Sequence, residues 1–121
     1  MSSINDPCPT LSVRIDFPVG HRLGPGKAAL LAAIQDAQSI SSAAKNLGMS
    51  YPRALKLIDQ LNQTFASPLV NAQHGGSGGG GASLTDAGQH VLELYNTIQN
   101  QAIAATRVTR QALDKLTKSS A

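Results

Sequence analysis

Ser39-Ile40-Ser41-Ser42-Ala43-Ala44-Lys45-Asn46-Leu47-Gly48-Met49-Ser50 is the stretch whose reading decides the fold. It reads as a short helix, a glycine turn and the start of a second helix. Downstream, His74-Gly75-Gly76-Ser77-Gly78-Gly79-Gly80-Gly81 separates two short strand-like stretches, Pro68-Leu69-Val70-Asn71-Ala72 and Ala82-Ser83-Leu84. A helix-turn-helix followed by a hairpin is the layout of a winged helix-turn-helix, which presents its second helix to a DNA groove.

Working outward, each helix carries its own signals. Ser39 caps the first helix of the pair, and Ile40, Ala43, Ala44 and Leu47 form its apolar stripe. Ser50 caps the second, with Pro52 in the first turn, where its missing N–H costs little. Ala54, Leu57, Ile58, Leu61 and Phe65 gather on one side of that helix. Pro52, Arg53, Lys56, Asp59, Gln60 and Gln63 gather on the other, the split of a helix docked on a core with a polar face free. Upstream, Ala29, Leu30, Ala33, Ile34 and Ala37 mark a preceding helix from Pro25 or Gly26 to about Ala37. Leu11 to Phe17 alternates apolar and polar, as a half-buried strand does.

Thr85 caps a final helix of about 30 residues, uninterrupted by Pro or Gly from Gln89 to Lys118. Val91, Leu94, Tyr95, Ile98, Ala102, Ala105, Val108 and Ala112, followed by Leu116, hold an apolar seam at helical spacing. Such a helix outruns a small head domain, and its seam calls for a partner, read here as a second copy of the chain. The alternative is a helix folded back over the head, and different halves can do each. The expected organisation is a tail over 1–10, a winged helix-turn-helix over 11–84, a dimerisation helix over 85–118 and a tail over 119–121. The fold class is mainly α with a small β wing.

Composition agrees and narrows the function. The chain has 121 residues, 3% aromatic content and no Trp, so its single core is built from Ala, Leu, Ile and Val. Ten Lys and Arg against seven Asp and Glu give a net charge of +3, which permits a phosphate-binding face without demanding one. Between residues 21 and 60, Arg22, Lys27, Lys45, Arg53 and Lys56 face only Asp36 and Asp59. One cysteine, Cys8, makes no internal disulfide, and neither a signal peptide nor a bilayer-spanning apolar run is legible. The expectation is a cytoplasmic protein with no membrane partner. His21, His74 and His90 are scattered without metal-ligand spacing, and no nucleophile–base–acid set stands out. No metal, no cofactor and no catalysis are expected. The glycine cluster also lacks the Gly-Lys-Ser/Thr ending of a nucleotide-binding loop.

Candidate contacts with double-stranded DNA follow from this layout. Arg53 and Lys56 project from one side of the presented helix, where Arg can read guanine and both can hold phosphate. Arg53→Ala is expected to weaken a specific site more than random DNA; equal losses on both would reduce Arg53 to a phosphate clamp. Tyr51 has two readings, reaching the DNA or packing against the preceding helix. Ser39, Ser41, Ser50 and Pro52 stand at the two helix N-termini. His74, Gly75, Gly76, Ser77 and Gly78 form the wing tip, whose glycines let the backbone approach a phosphate closely.

Ser39-Ile40-Ser41-x-Ala43-Ala44-Lys45-x-x-Gly48-Met49-Ser50-Tyr51, with Ala54, Ile58 and Leu61-Asn62, resembles the N-terminal domain of the molybdate-responsive ModE regulators. Gly75-Gly76-Ser77-Gly78-Gly79-Gly80-Gly81-Ala82-Ser83-Leu84-Thr85-x-x-Gly88 resembles that family's wing and the helix after it. The same skeleton is similar to the LysR-type helix-turn-helix. The resemblance covers about residues 22–100 and implies a bacterial, dimeric, DNA-binding transcription regulator. In that family the long helix pairs subunits and the second helix of the motif carries base contacts, here Ser50, Tyr51, Pro52, Arg53 and Lys56. Leu55 stands where many relatives carry Trp. The family's C-terminal oxyanion-binding domain has no counterpart up to Ala121, so a stand-alone DNA-binding version is expected, with a separate sensor protein left open as a partner. The competing reading is a winged-helix scaffold that binds protein rather than DNA; a charged rather than apolar free helix face separates the two.

Overall fold

The computed structural model describes residues 8–72 and 81–118. In chain order the elements are β1 (Ile15–Asp16), β2 (Arg22–Leu23), α1 (Pro25–Ala37), α2 (Ile40–Asn46), α3 (Tyr51–Thr64), β3 (Val70–Ala72), β4 (Ala82–Leu84) and α4 (Asp86–Asp114). This is the mainly α winged helix-turn-helix with a long last helix.

α1 is the keystone. Leu30, Leu31 and Ile34 have no exposed surface, and α2, α3, α4, β2 and β4 all pack against this one helix. The apolar face expected from spacing is only partly the buried one. Ala29 is exposed, whereas Ala28, Leu31 and the stem of Lys27 are buried. A helix covered from several directions has no single apolar stripe for periodicity to find.

α2 meets α3 through a tight turn whose bonds follow a Schellman pattern. Gly48 N donates to Lys45 O at 3.1 Å and Met49 N to Ala44 O at 3.0 Å, around a Gly48 φ of +68°. A left-handed residue at this position strongly favours glycine. Ala43 and Ala44 are buried between the helices as expected, while Leu47 lies outside the core. The next two caps form as the sequence indicated. Ser39 Oγ accepts from Ser42 N and Ser50 Oγ from Arg53 N, both at 3.2 Å.

β3 and β4 pair antiparallel with Val70 opposite Leu84, Asn71 opposite Ser83 and Ala72 opposite Ala82. The flanks of the glycine cluster therefore form the base of a hairpin. Two contacts anchor it. Ala82 N donates to Gln38 O at 3.0 Å, at the left-handed end of α1. Asn62 Oδ1 accepts from Leu69 N at 2.8 Å and Val70 N at 3.3 Å.

The start of α4 is locked to the same base. Thr85 Oγ1 donates to Pro68 O at 2.7 Å and accepts from Gly88 N at 2.9 Å. A Cβ at Gly88 would collide with the Leu69 carbonyl, so Thr85 and Gly88 together let the start of α4 lie directly on the segment leading into β3.

The N-terminal region departs from expectation. Exposure alternates over residues 11–17, but only Ile15–Asp16 is strand, paired with an unanticipated β2. Cys8 and Pro9, expected in a tail, lie against α4. Arg110 donates to Cys8 Sγ at 3.0 Å and to Pro9 O, and Tyr95 Oη donates to Val13 O at 2.7 Å. Residues 8–13 thus follow one side of α4 instead of extending β1.

Candidate nucleic-acid interface

α3 is held by Ala54, Ile58 and Leu61, all buried, and the face opposite them is free. Tyr51, Pro52, Arg53, Lys56 and Asp59 are exposed. Tyr51 keeps 45% of its surface exposed. Ser41 is exposed on α2, while Ser39 and Ser50 use their hydroxyl oxygens as caps. The side chains expected to meet DNA from α2 and α3 are thus exposed, apart from the half-buried Ser39.

Arg53 has a setting that spacing did not reveal. It lines a cleft with Leu57, Arg14, Arg22 and the Gly24–Lys27 start of α1. Arg14 and Arg22 share one carboxylate, Asp16, at 3.1 and 3.9 Å. Lys27 is only 8% exposed and donates from Nζ to Arg22 O at 2.9 Å. Burial, with repulsion from Arg22 added, holds its ammonium below the usual lysine range. A signal for this cluster was present in the charge bias of residues 21–60, but Arg14 joins it only through the β1–β2 turn.

The wing tip residues His74, Gly75, Gly76, Ser77 and Gly78 lie outside the described residues. Of the wing, the described part is its β3–β4 base.

The apolar seam of α4 divides. Tyr95 is 2% exposed and belongs to the protein's own core, where burial pushes its phenol up. This corrects its assignment to a partner-facing seam: Tyr95 points at Val13 and the head. Val91 and Ala102 are half-buried on that same flank. Leu94, Ile98, Ala105, Val108 and Ala112 are exposed, Val108 to 72%.

Among the described residues no group of three or more His, Cys, Asp or Glu side chains is arranged to hold a metal ion, and no helix is long and apolar enough to cross a membrane. The cleft at Arg53 measures about 210 Å³. That is below the roughly 300–1,000 Å³ usual for small-molecule sites.

Comparison with known proteins agrees with this geometry. The chain is 44% identical over 80 residues to the molybdenum-pterin-binding protein MopB of Rhodobacter capsulatus, covering 66% of this chain and 30% of that one. It is 40% identical over 95 residues to the transcriptional regulator ModE of Yersinia pestis, covering 76% and 36% respectively. The chain thus spans about a third of the length of these curated relatives. In fold it is similar to the crystal structure of the CbnR_DBD–DNA complex, with a TM-score of 0.57 and 25% identity over 73% of this chain and 95% of that one. The model of the bacterial regulatory helix-turn-helix proteins of the LysR family matches residues 27–89, which run from the start of α1 through the wing into α4. With the motif, the wing base and the capped long helix each in place, the chain belongs to that family.

Proposed function

We propose that this protein is a transcription regulator that binds double-stranded DNA as a homodimer, and not an enzyme. The observation that carries the reading is α3: its inner face is buried while Tyr51, Pro52, Arg53 and Lys56 stand free. At 14 residues it is about 21 Å long, which suits a major groove. A charged free face favours DNA over a protein ligand, and the similarity to a DNA-bound domain supports the same choice. Ser39 and Ser41, at the start of α2, and the wing residues His74 to Gly78 are assigned to the phosphate backbone. Regulation of this kind places the protein in the cytoplasm, with the DNA.

The dimer reading rests on α4. Leu94, Ile98, Ala105, Val108 and Ala112 fall within one narrow stripe, spaced as alternating seam positions of a coiled coil with Gln101 filling the gap. The stripe lies away from the face that binds Val13 and Cys8. Ala105 and Ala112 allow close helix approach. Two copies paired this way would present two α3 helices to half-sites about one helical turn apart.

The test is selection from a pool of random duplex DNA, at several salt concentrations. Enrichment of a palindromic motif is expected. Salt-sensitive binding with no motif would replace specific regulation by an architectural role. Absence of binding would return the protein-scaffold reading.

A further inference from the structure

The cleft beside α3 shares Arg53 and Leu57 with that helix and extends away from it, and it concentrates charge. Arg14 from the segment before β1, Arg22 from β2, Lys27 from α1 and Arg53 from α3 all line it. Among the described residues, Asp16 is the one acidic group ion-paired to these side chains, and it is divided between Arg14 and Arg22. Four cations against one shared carboxylate leave an excess of positive charge at one small opening. Their repulsion is relieved most simply by an anion.

The start of α1 contributes backbone to the same opening. α1 opens here with no side-chain cap and no acidic residue in its first turn. A Cβ at Gly26 would meet nothing within 4 Å, so the backbone is open to close approach. Arg14 and Arg22 carry long, largely exposed side chains able to reach beyond the cleft mouth. Arg53 connects the cleft to the helix that faces the groove.

We propose that this cleft clamps a backbone phosphate of the duplex on which α3 sits, extending the interface past the helix-turn-helix to the β1–β2 turn. The inference rests on the DNA-binding reading and deepens it. Arg14 and Arg22 grip the phosphate from the hairpin side, and Arg53 from the α3 side. Lys27 stays behind them, tied to the Arg22 carbonyl, and adds charge without touching the phosphate. Because the clamp holds only backbone, it fixes how the protein sits on the duplex and carries no base preference.

The experiment measures duplex affinity against salt for the wild-type protein, R14Q/R22Q and D16N, on a selected site and on a random duplex. The double variant is expected to bind both about three- to tenfold less tightly, with a salt slope shallower by about 0.9 for each phosphate it no longer neutralises. D16N, which frees the two guanidinium groups, is expected to bind both roughly two- to fivefold more tightly. A gain cannot come from misfolding, so opposite signs in the two variants separate the clamp from damage. Arg53→Ala is expected to lose equally on the two duplexes, replacing the site-selective loss expected from its position on α3 alone. Unchanged slopes in R14Q/R22Q, with the wild-type protein binding normally, overturn the clamp and leave the DNA-binding reading standing. Failure of the wild-type protein to bind any duplex overturns both. Inorganic phosphate binding that depends on Arg14 and Arg22, while duplex affinity does not, also overturns the clamp.

Discussion

α1 and α3 are nearly the same length, 13 and 14 residues, and both carry proline in the first turn. They do opposite work. α1 is packed on several sides and buries Leu30, Leu31 and Ile34 completely. α3 fully buries only Ala54, Ile58 and Leu61 and leaves the face of Tyr51, Pro52, Arg53, Lys56 and Asp59 exposed. The protein presents one helix by surrounding another. The presented face is backed by α1 and tied to the wing base through Asn62.

Four substitutions test that division, from the largest effect down. Leu31→Ala removes a fully buried side chain at the centre of the head and is expected to cost about 2–5 kcal/mol in urea unfolding. A cost below about 1 kcal/mol would mean that α1 is not the keystone. Asn62→Ala breaks the place where α3 holds the wing base, leaving the Leu69 and Val70 amides without that acceptor. About 1–3 kcal/mol of stability should be lost, and hydrogen exchange at Leu69 and Val70 should accelerate more than at Leu31. Uniform acceleration would show that the wing base is not anchored through Asn62.

Ser50→Ala removes the cap of α3 and is expected to cost about 1 kcal/mol, with a matching drop in thermal midpoint. Lys56→Ala touches only the free face. Its stability should stay within about 0.5 kcal/mol of wild type, while preference for the selected DNA site over random duplex falls by roughly 1–3 kcal/mol. A destabilised Lys56→Ala would place that side chain in the fold rather than on a ligand.

A smaller, pH-dependent effect sharpens the α1 side. The Lys27 ammonium is held below its ordinary value of 10.5. The folded state therefore releases this proton before the unfolded state does. Stability relative to Lys27→Met is expected to rise as pH climbs from the lowered value toward 10.5. Urea titrations at about pH 7 and about pH 9.5 check the sign; a fall over that interval would contradict the buried, cation-crowded setting of Lys27.

Legibility followed the same division. α3 could be read closely because only one of its faces is covered, so its apolar positions repeat at helical spacing and Ser50 marks its start. α1 read less well because neighbours surround it, which made Ala29 look interior and hid Lys27. The wing base was visible in Leu69, Val70 and Leu84, whereas its clamp was not. Asn62 is an ordinary polar residue on α3 until the chain brings Leu69 and Val70 back across it. On α4, spacing alone grouped Tyr95 with Leu94 and Ile98. Packing separated them, because residues 8–13 and the head cover one flank of the helix and leave the other bare.

Local chemistry in the sequence determined the helix boundaries, the glycine turn at Gly48, the caps at Ser39, Ser50 and Thr85, and the charged outer face of α3. Each depends on residues within a few positions of one another, where propensity and hydrogen bonding act directly. Tertiary structure alone decided which α4 residues remain exposed, how Asn62 and Gln38 hold the wing, and that Arg14, Arg22, Lys27 and Arg53 meet at one cleft. Those arrangements join residues far apart in the chain. They arise only when α1 is buried and the segments around it are forced together.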